Sequence, residues 1–167
     1  QNPLESVVIS VTQITSGTSF NIIPQVSEFV GTIRTLNSNV RVSVHKQFLE
    51  ICKMTASAYG CKAEVEIIHG YPVTVNNPNE SQKAINVAEN LVGKELVKKN
   101  LAPSMGAEDF AYMLEKKPGC YIWLGAGEGK AGSMLHNSKY DFNNNIIPLG
   151  ISYWHELVKS ELPIRSN

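Results

Sequence analysis

Over the first seventy residues the apolar spacing changes twice, and this constrains the fold more than any other feature. Residues 5–15 alternate, with Val7, Ile9 and Val11 on one side and Val8, Ser10 and Thr12 on the other. A period of two is that of a strand with one buried face. Ser16-Gly17-Thr18-Ser19 reads as a turn. Residues 25–36 read as a second strand, with Phe29 and Ile33 on one face and Glu28, Val30, Thr32 and Arg34 on the other. Asn37-Ser38-Asn39 breaks it. From residue 42 to 59 the repeat becomes helical through Val44, Phe48, Ile51, Cys52 and Tyr59. Gly60 follows as a helix stop. Residues 62–69 alternate again, Ala63, Val65 and Ile67 inward and Lys62, Glu64 and Glu66 outward. The order β-β-α-β predicts a small open-faced α/β sandwich, a mostly antiparallel sheet with a helix on one face.

After that the pattern loosens. Tyr71-Pro72 and Asn76-Asn77-Pro78 mark an irregular connection, so the expected domains are residues 1–72 and 73–167. Asn79 is placed to cap a helix whose third residue is Gln82, with Ala84, Ile85, Ala88, Leu91, Val92 and Leu96 as its apolar stripe. Residues 108–116 are expected to form a short helix. Residues 120–124 are nearly all apolar, as in a strand covered on both faces. A glycine-rich loop spans 125–132. Pro148 opens a last helix with Ile151, Trp154, Val158 and Leu162 on one face, and Pro163 ends it. The fold class is α/β.

Composition removes several functions. Fifteen Lys and Arg balance fifteen Asp and Glu among 167 residues, so no basic surface for nucleic acid is expected. No apolar run approaches the length of a membrane span, and no membrane partner is expected. No Lys or Arg precedes an apolar stretch at the N-terminus, so no secretory signal is expected. A chain opening on strand residues is expected to be the later part of a longer protein. Cys52, Cys61 and Cys120 form neither a disulfide framework nor a C-x-x-C pair, and read as free thiols in the cytoplasm.

Few residues are candidates for chemistry. The loop with Gly125, Gly127, Gly129, Lys130 and Gly132 fails the phosphate-loop pattern, because Leu124 and Ala131 stand where Gly and Ser or Thr are needed. His155-Glu156 begins a metalloprotease helix motif, but Lys159 takes the place of its second His. His45, in the first helix among polar neighbours, reads as solvated. His69 ends a strand and is open between a structural and a functional role. His136 sits in an irregular stretch between the glycine loop and the last helix, where a neutral imidazole suits metal binding or acid–base work. Glu108 and Asp109 suit a helix N-terminus or an acidic site loop. Cys120 and His136 could form a nucleophilic pair, but the apolar run around Cys120 favours burial.

Four segments together resemble the metal-dependent aminoacylases and carboxypeptidases, above all the hippurate hydrolase and auxin-conjugate amidohydrolase branch. They are Ser16-Gly17-Thr18-Ser19-Phe20-Asn21-Ile22-Ile23-Pro24, Gly31-Thr32-Ile33-Arg34-Thr35-Leu36, Ser104-Met105-Gly106-Ala107-Glu108-Asp109-Phe110, and Leu135-His136-Asn137-Ser138-Lys139-Tyr140-Asp141-Phe142. The resemblance implies an α/β metallopeptidase-type catalytic domain, of which residues 73–167 would be the C-terminal part. It also implies an inserted lid, an α/β sandwich that forms a homodimer, with residues 1–72 as its later half. His136 would be a ligand of a divalent metal centre of zinc, manganese or cobalt. Asn21 would hold the acyl oxygen of an N-acyl amino acid and Arg34 its carboxylate, whose two oxygens match a guanidinium fork. Gly106 and Glu108 would line the substrate pocket. The resemblance places the family's other ligands in a Cys-x-His segment, in a Glu-Glu pair that carries the general base, and at a further His, and neither Cys-x-His nor Glu-Glu occurs here. The expected function is hydrolysis of N-acyl amino acids by the whole enzyme, with this chain a fragment inactive alone. The alternative is a non-catalytic remnant that dimerises or binds an amino acid.

Overall fold

The computed structural model describes residues 5–127 and 135–162. It falls into two units, Gln1–Val73 with Pro103–Ala111, and Thr74–Ala102 with Tyr112–Asn167. The architecture is mixed α/β.

In the first unit, β1 (Val7–Ser16) and β2 (Ser27–Thr35) pair antiparallel, from Val7 opposite Thr35 to Ser16 opposite Ser27. The register slips between Val11 and Gln13, which leaves Thr12 bulged. A bulge adds one residue to one strand and shifts the parity beyond it. Ile14, opposite Phe29, therefore stays on the side of Val7, Ile9 and Val11. Gly31 lies opposite Val11 at the bulge, and a Cβ there would run into the Ser10 carbonyl oxygen. The expected buried face is only partly buried. Val7 and Ile33 are half-buried, but Ile9, Val11, Ile14 and Phe29 keep 51–64% of their surface. A two-stranded ribbon offers more apolar surface than the single helix packed on β2 can cover.

That helix, α1 (Ser38–Ala58), begins before the expected residue 42. Asn37 has extended backbone, and its side chain accepts from the N–H groups of Asn39 at 2.8 Å and Val40 at 3.5 Å. This satisfies two of the donors a helix start leaves open. Val44 is buried, and Phe48 and Cys52 are half-buried. Ile51 and Tyr59 are exposed, contrary to the expected stripe. The helix ends in a Schellman motif: Gly60, with φ +70, donates to the Ser57 carbonyl at 3.0 Å, and Cys61 donates to that of Ala56 at 2.9 Å. Residues 62–69 keep the expected alternation, with Ala63, Val65 and Ile67 half-buried and Lys62, Glu64 and Glu66 exposed. They join no ladder among the described residues, so the sheet has two strands rather than three. Alternation fixes the faces of a strand, but its main chain still needs a partner.

In the second unit, α2 (Pro78–Val92) is capped by Asn77, not Asn79. The Asn77 side chain accepts from Asn79 N–H at 3.0 Å and Glu80 N–H at 3.3 Å. Pro78 takes the first helical position, where its fixed φ fits and its missing N–H costs nothing. A short α3 (Phe110–Lys116) follows, with its first two residues in the first unit. The last helix, α4 (Ile147–Glu161), has Pro148 in its first turn. Pro163 lies outside the described residues. Ala84, Val87 and Tyr153 form the core, with Ala88, Leu91, Cys120 and Leu157 packed against it. The apolar face of α4 read from the spacing is not the covered one, since Ile151, Trp154, Val158 and Leu162 are 54–72% exposed. Tyr153 and Leu157, one turn apart, supply the buried stripe instead. The helix is apolar on two sides, so periodicity alone does not choose between them. Leu96, placed on the α2 stripe, is also exposed. Residues 120–124 form no ladder among the described residues. Their hydrogen bonds come partly from a side chain: Asn76 Nδ2 donates to the Tyr121 carbonyl, and Tyr121 N–H donates to Asn76 Oδ1, both at 2.8 Å.

Candidate functional site

Arg34 stands near the end of β2 and is half-buried. Its Nη1 donates to the Met105 carbonyl at 2.8 Å. Met105 precedes Gly106, whose N–H donates to Ser104 Oγ at 3.1 Å. Arg34 and the segment carrying Gly106 and Glu108, 71 residues later, therefore meet within the first unit. The Met105 bond engages one of five guanidinium N–H groups, and the fork has others to offer. Glu108 is half-buried. It precedes α3 rather than opening it, and its carbonyl accepts from Ala111 N–H at 3.2 Å. Asn21 is exposed on the connection from β1 to β2. No hydrogen bond among the described residues ties it to Arg34 or to residues 103–111.

His136 belongs to the second unit. It is exposed, and at φ +64 it is the one non-glycine with positive φ among the described residues. Left-handed backbone is uncommon outside glycine and collects at functional sites. The turn after it is well fixed. Asn137 Oδ1 accepts from Lys139 N–H at 2.9 Å, and the Asn137 carbonyl accepts from Tyr140 N–H at 2.9 Å. Further along, Asn143 Nδ2 donates to the Ala126 carbonyl at 2.7 Å, and its Oδ1 accepts from Asn145 N–H at 3.1 Å. An exposed imidazole on an anchored turn fits one position in a metal coordination sphere. Among the described residues, no group of three or more His, Cys, Asp or Glu converges to complete one. Of the glycine-rich loop, Gly129, Lys130 and Gly132 lie outside the described residues. Cys120 is half-buried against the core and its Sγ lies 3.8 Å from the Tyr121 carbonyl oxygen, which suits a packing role.

Two residues weighed separately in the sequence are neighbours in the structure. The rings of His45 and His69 lie 5.5 Å apart, tilted by 45°. Burial, then the charges of His69 and Arg41, hold His45 below the usual histidine range. With 24 positions between them, spacing along the chain does not announce this pair. An open cleft of about 440 Å³ in the second unit, lined by residues 75–78 and 114–119, includes none of the expected site residues.

Among the described residues no helix is long and apolar enough to cross a membrane. Residues 3–160 match the family model described as peptidase family M20/M25/M40. Thermostable carboxypeptidase 2 of Saccharolobus solfataricus is 37% identical over 155 residues, covering 89% of this chain and 38% of that protein. Hippurate hydrolase of Campylobacter jejuni is 31% identical over 156 residues, covering 93% of this chain and 40% of the enzyme. N-acetyldiaminopimelate deacetylase of Pediococcus pentosaceus is 31% identical over 151 residues, covering 90% and 38%. In structure, the chain is similar to Bacillus subtilis YXEP, described as a dinuclear metal-binding peptidase of the M20 family. The TM-score is 0.75 at 28% identity, over 95% of this chain and 42% of that one. The chain thus spans about two fifths of the length of these relatives. With nearly its whole length matched by the family model, the chain belongs to peptidase family M20/M25/M40.

Proposed function

We propose that the whole protein is a divalent-metal-dependent amidohydrolase acting on N-acyl amino acids, and that this chain carries part of its substrate site and one metal ligand. The observation that carries the reading is the Arg34–Met105 bond, which joins a forked cation to the loop of Gly106 and Glu108. Relatives named hippurate hydrolase and N-acetyldiaminopimelate deacetylase support this substrate class.

In this reading the substrate carboxylate docks on the guanidinium N–H groups left free by Met105. The Asn21 amide donates to the acyl oxygen. Gly106, without a side chain, lets the substrate approach the backbone, and Glu108 borders the pocket. His136 would hold one of the metals, zinc, manganese or cobalt, and a bound divalent ion supplies Lewis acidity to the amide carbonyl and to water. The remaining ligands and the general base come from other segments of the enzyme, so the chain alone is inactive. Residues 1–72 serve as lid, and the exposed apolar ribbon face is the homodimer contact. Residues 73–167 are the C-terminal part of the catalytic domain. Three free cysteines suit a reducing cytoplasm.

Titration of the ¹⁵N-labelled 167-residue chain with hippurate tests this. Shifts at the amides of Gly106 to Asp109, abolished by Arg34→Ala and weakened by Arg34→Lys, are expected. Silent amides would overturn the substrate assignment. Hydrolysis of hippurate by the chain alone with added zinc, manganese or cobalt would overturn its inactivity. A dimer that binds hippurate but shows no metal effect of His136→Ala would favour the non-catalytic remnant.

A further inference from the structure

The His45–His69 pair is left unused by the proposed hydrolase. Both residues belong to the first unit, whereas His136 belongs to the second. His45 is half-buried on α1, one residue from buried Val44, and this packing fixes its position. His69 is exposed at the end of the alternating segment 62–69, so its ring has room to turn. No hydrogen bond among the described residues occupies either ring.

The spacing is the informative quantity. A metal held at about 2.0–2.1 Å by an imidazole nitrogen lies about 3 Å from that ring's centre, so two rings sharing one ion have centres about 5–6 Å apart. The observed 5.5 Å falls within this range, and the 45° tilt keeps the rings from stacking face to face.

We propose that His45 and His69 form a two-imidazole binding site for a borderline divalent transition-metal ion, with water in the other positions. Imidazole pairs suit Cu²⁺, Ni²⁺ and Zn²⁺, whereas Mg²⁺ and Ca²⁺ prefer oxygen ligands. Among these ions Cu²⁺ binds most tightly. The charge of Arg41, one turn before His45, opposes a cation and weakens the site. Bound metal would clip segment 62–69, which has no strand partner among the described residues, to α1.

The test uses the 167-residue chain carrying His136→Ala, which removes the other candidate ligand. Zn²⁺ alone is titrated and the histidine ring ¹⁵N resonances are followed by NMR. One equivalent should move the His45 and His69 rings together and leave His155 in place. Loss of even an outer partner of a ligating His weakens metal binding about 10–100-fold, so His45→Ala or His69→Ala should each weaken it at least about tenfold. Circular dichroism checks that the variants fold, and the ring shifts of the unsubstituted pair decide the matter independently of them. Absence of shifts at millimolar Zn²⁺, movement of one ring without the other, or uptake unchanged in both variants would overturn the proposal. Mg²⁺ in place of Zn²⁺ should leave both rings unmoved, and equal shifts would likewise overturn it.

Discussion

A methyl group at position 31 would collide with the Ser10 carbonyl across the bulge. The obstacle is backbone, so relief means opening the β1–β2 register. Gly31→Ala is expected to lower stability by about 1–3 kcal/mol, the usual range for overpacking, as a lower urea midpoint. Arg34 makes a second prediction at this scale. Its bond to Met105 tethers residues 103–111, so Arg34→Ala should raise the hydrogen-exchange rates of Met105 and Gly106. A lysine there restores the charge but not the fork, and is expected to restore protection only in part. Several of these residues were legible in the sequence. Gly31, Arg34, Gly106 and His136 stood in recognisable motifs. The Arg34–Met105 and His45–His69 contacts were not legible, since they join residues 71 and 24 positions apart.

At the scale of elements, α2 and α4 depend on Tyr153, which keeps 8% of its surface. Replacing a large buried aromatic with alanine costs about 3–5 kcal/mol. Tyr153→Ala is therefore expected to abolish most of the cooperative denaturant transition of the second unit, and Ile151→Ala, on the exposed side, to leave it nearly unchanged. The same helices carry an alkaline limit. Lys83 binds Glu161 of α4 at 2.9 Å and Glu80 of its own helix at 3.1 Å, and these bonds, Glu161 first, raise its pKa. Burial, then Cys120, raises that of Tyr153. In each case the folded unit holds its proton longer than the unfolded chain does. Stability is thus full below the ordinary values near 10 and falls as pH rises through the raised ones. Thermal melts from pH 8 to 11 should show this decline, and Lys83→Met with Tyr153→Phe should flatten it. The helices were foreseen, but their caps and faces were only partly foreseen. Asn77 outcompetes Asn79 because Pro78 suits the first helical position, a local preference readable in the sequence. The buried side of α4 follows from what packs on it, which a helix apolar on two sides does not declare.

For the whole molecule, the feature that bears on association is the exposed apolar row of Ile9, Val11, Ile14 and Phe29 on one face of the ribbon. If this face forms the proposed homodimer, Phe29→Asp should convert dimer to monomer in sedimentation velocity without changing the circular dichroism spectrum. The sequence by itself determined the period of each segment, the α/β class, the positions of the four family motifs and the lack of a Cys-x-His or Glu-Glu segment. These are local properties, fixed by side-chain spacing and by the conformations single residues allow. The tertiary structure alone decided which apolar faces are covered, which alternating segments find a ladder and which distant side chains meet. Only β1 and β2 gained ladder partners among the described residues, although residues 62–69 alternate as cleanly. A strand's faces are written in its own residues, whereas its hydrogen bonds belong to a neighbour that spacing along the chain does not name.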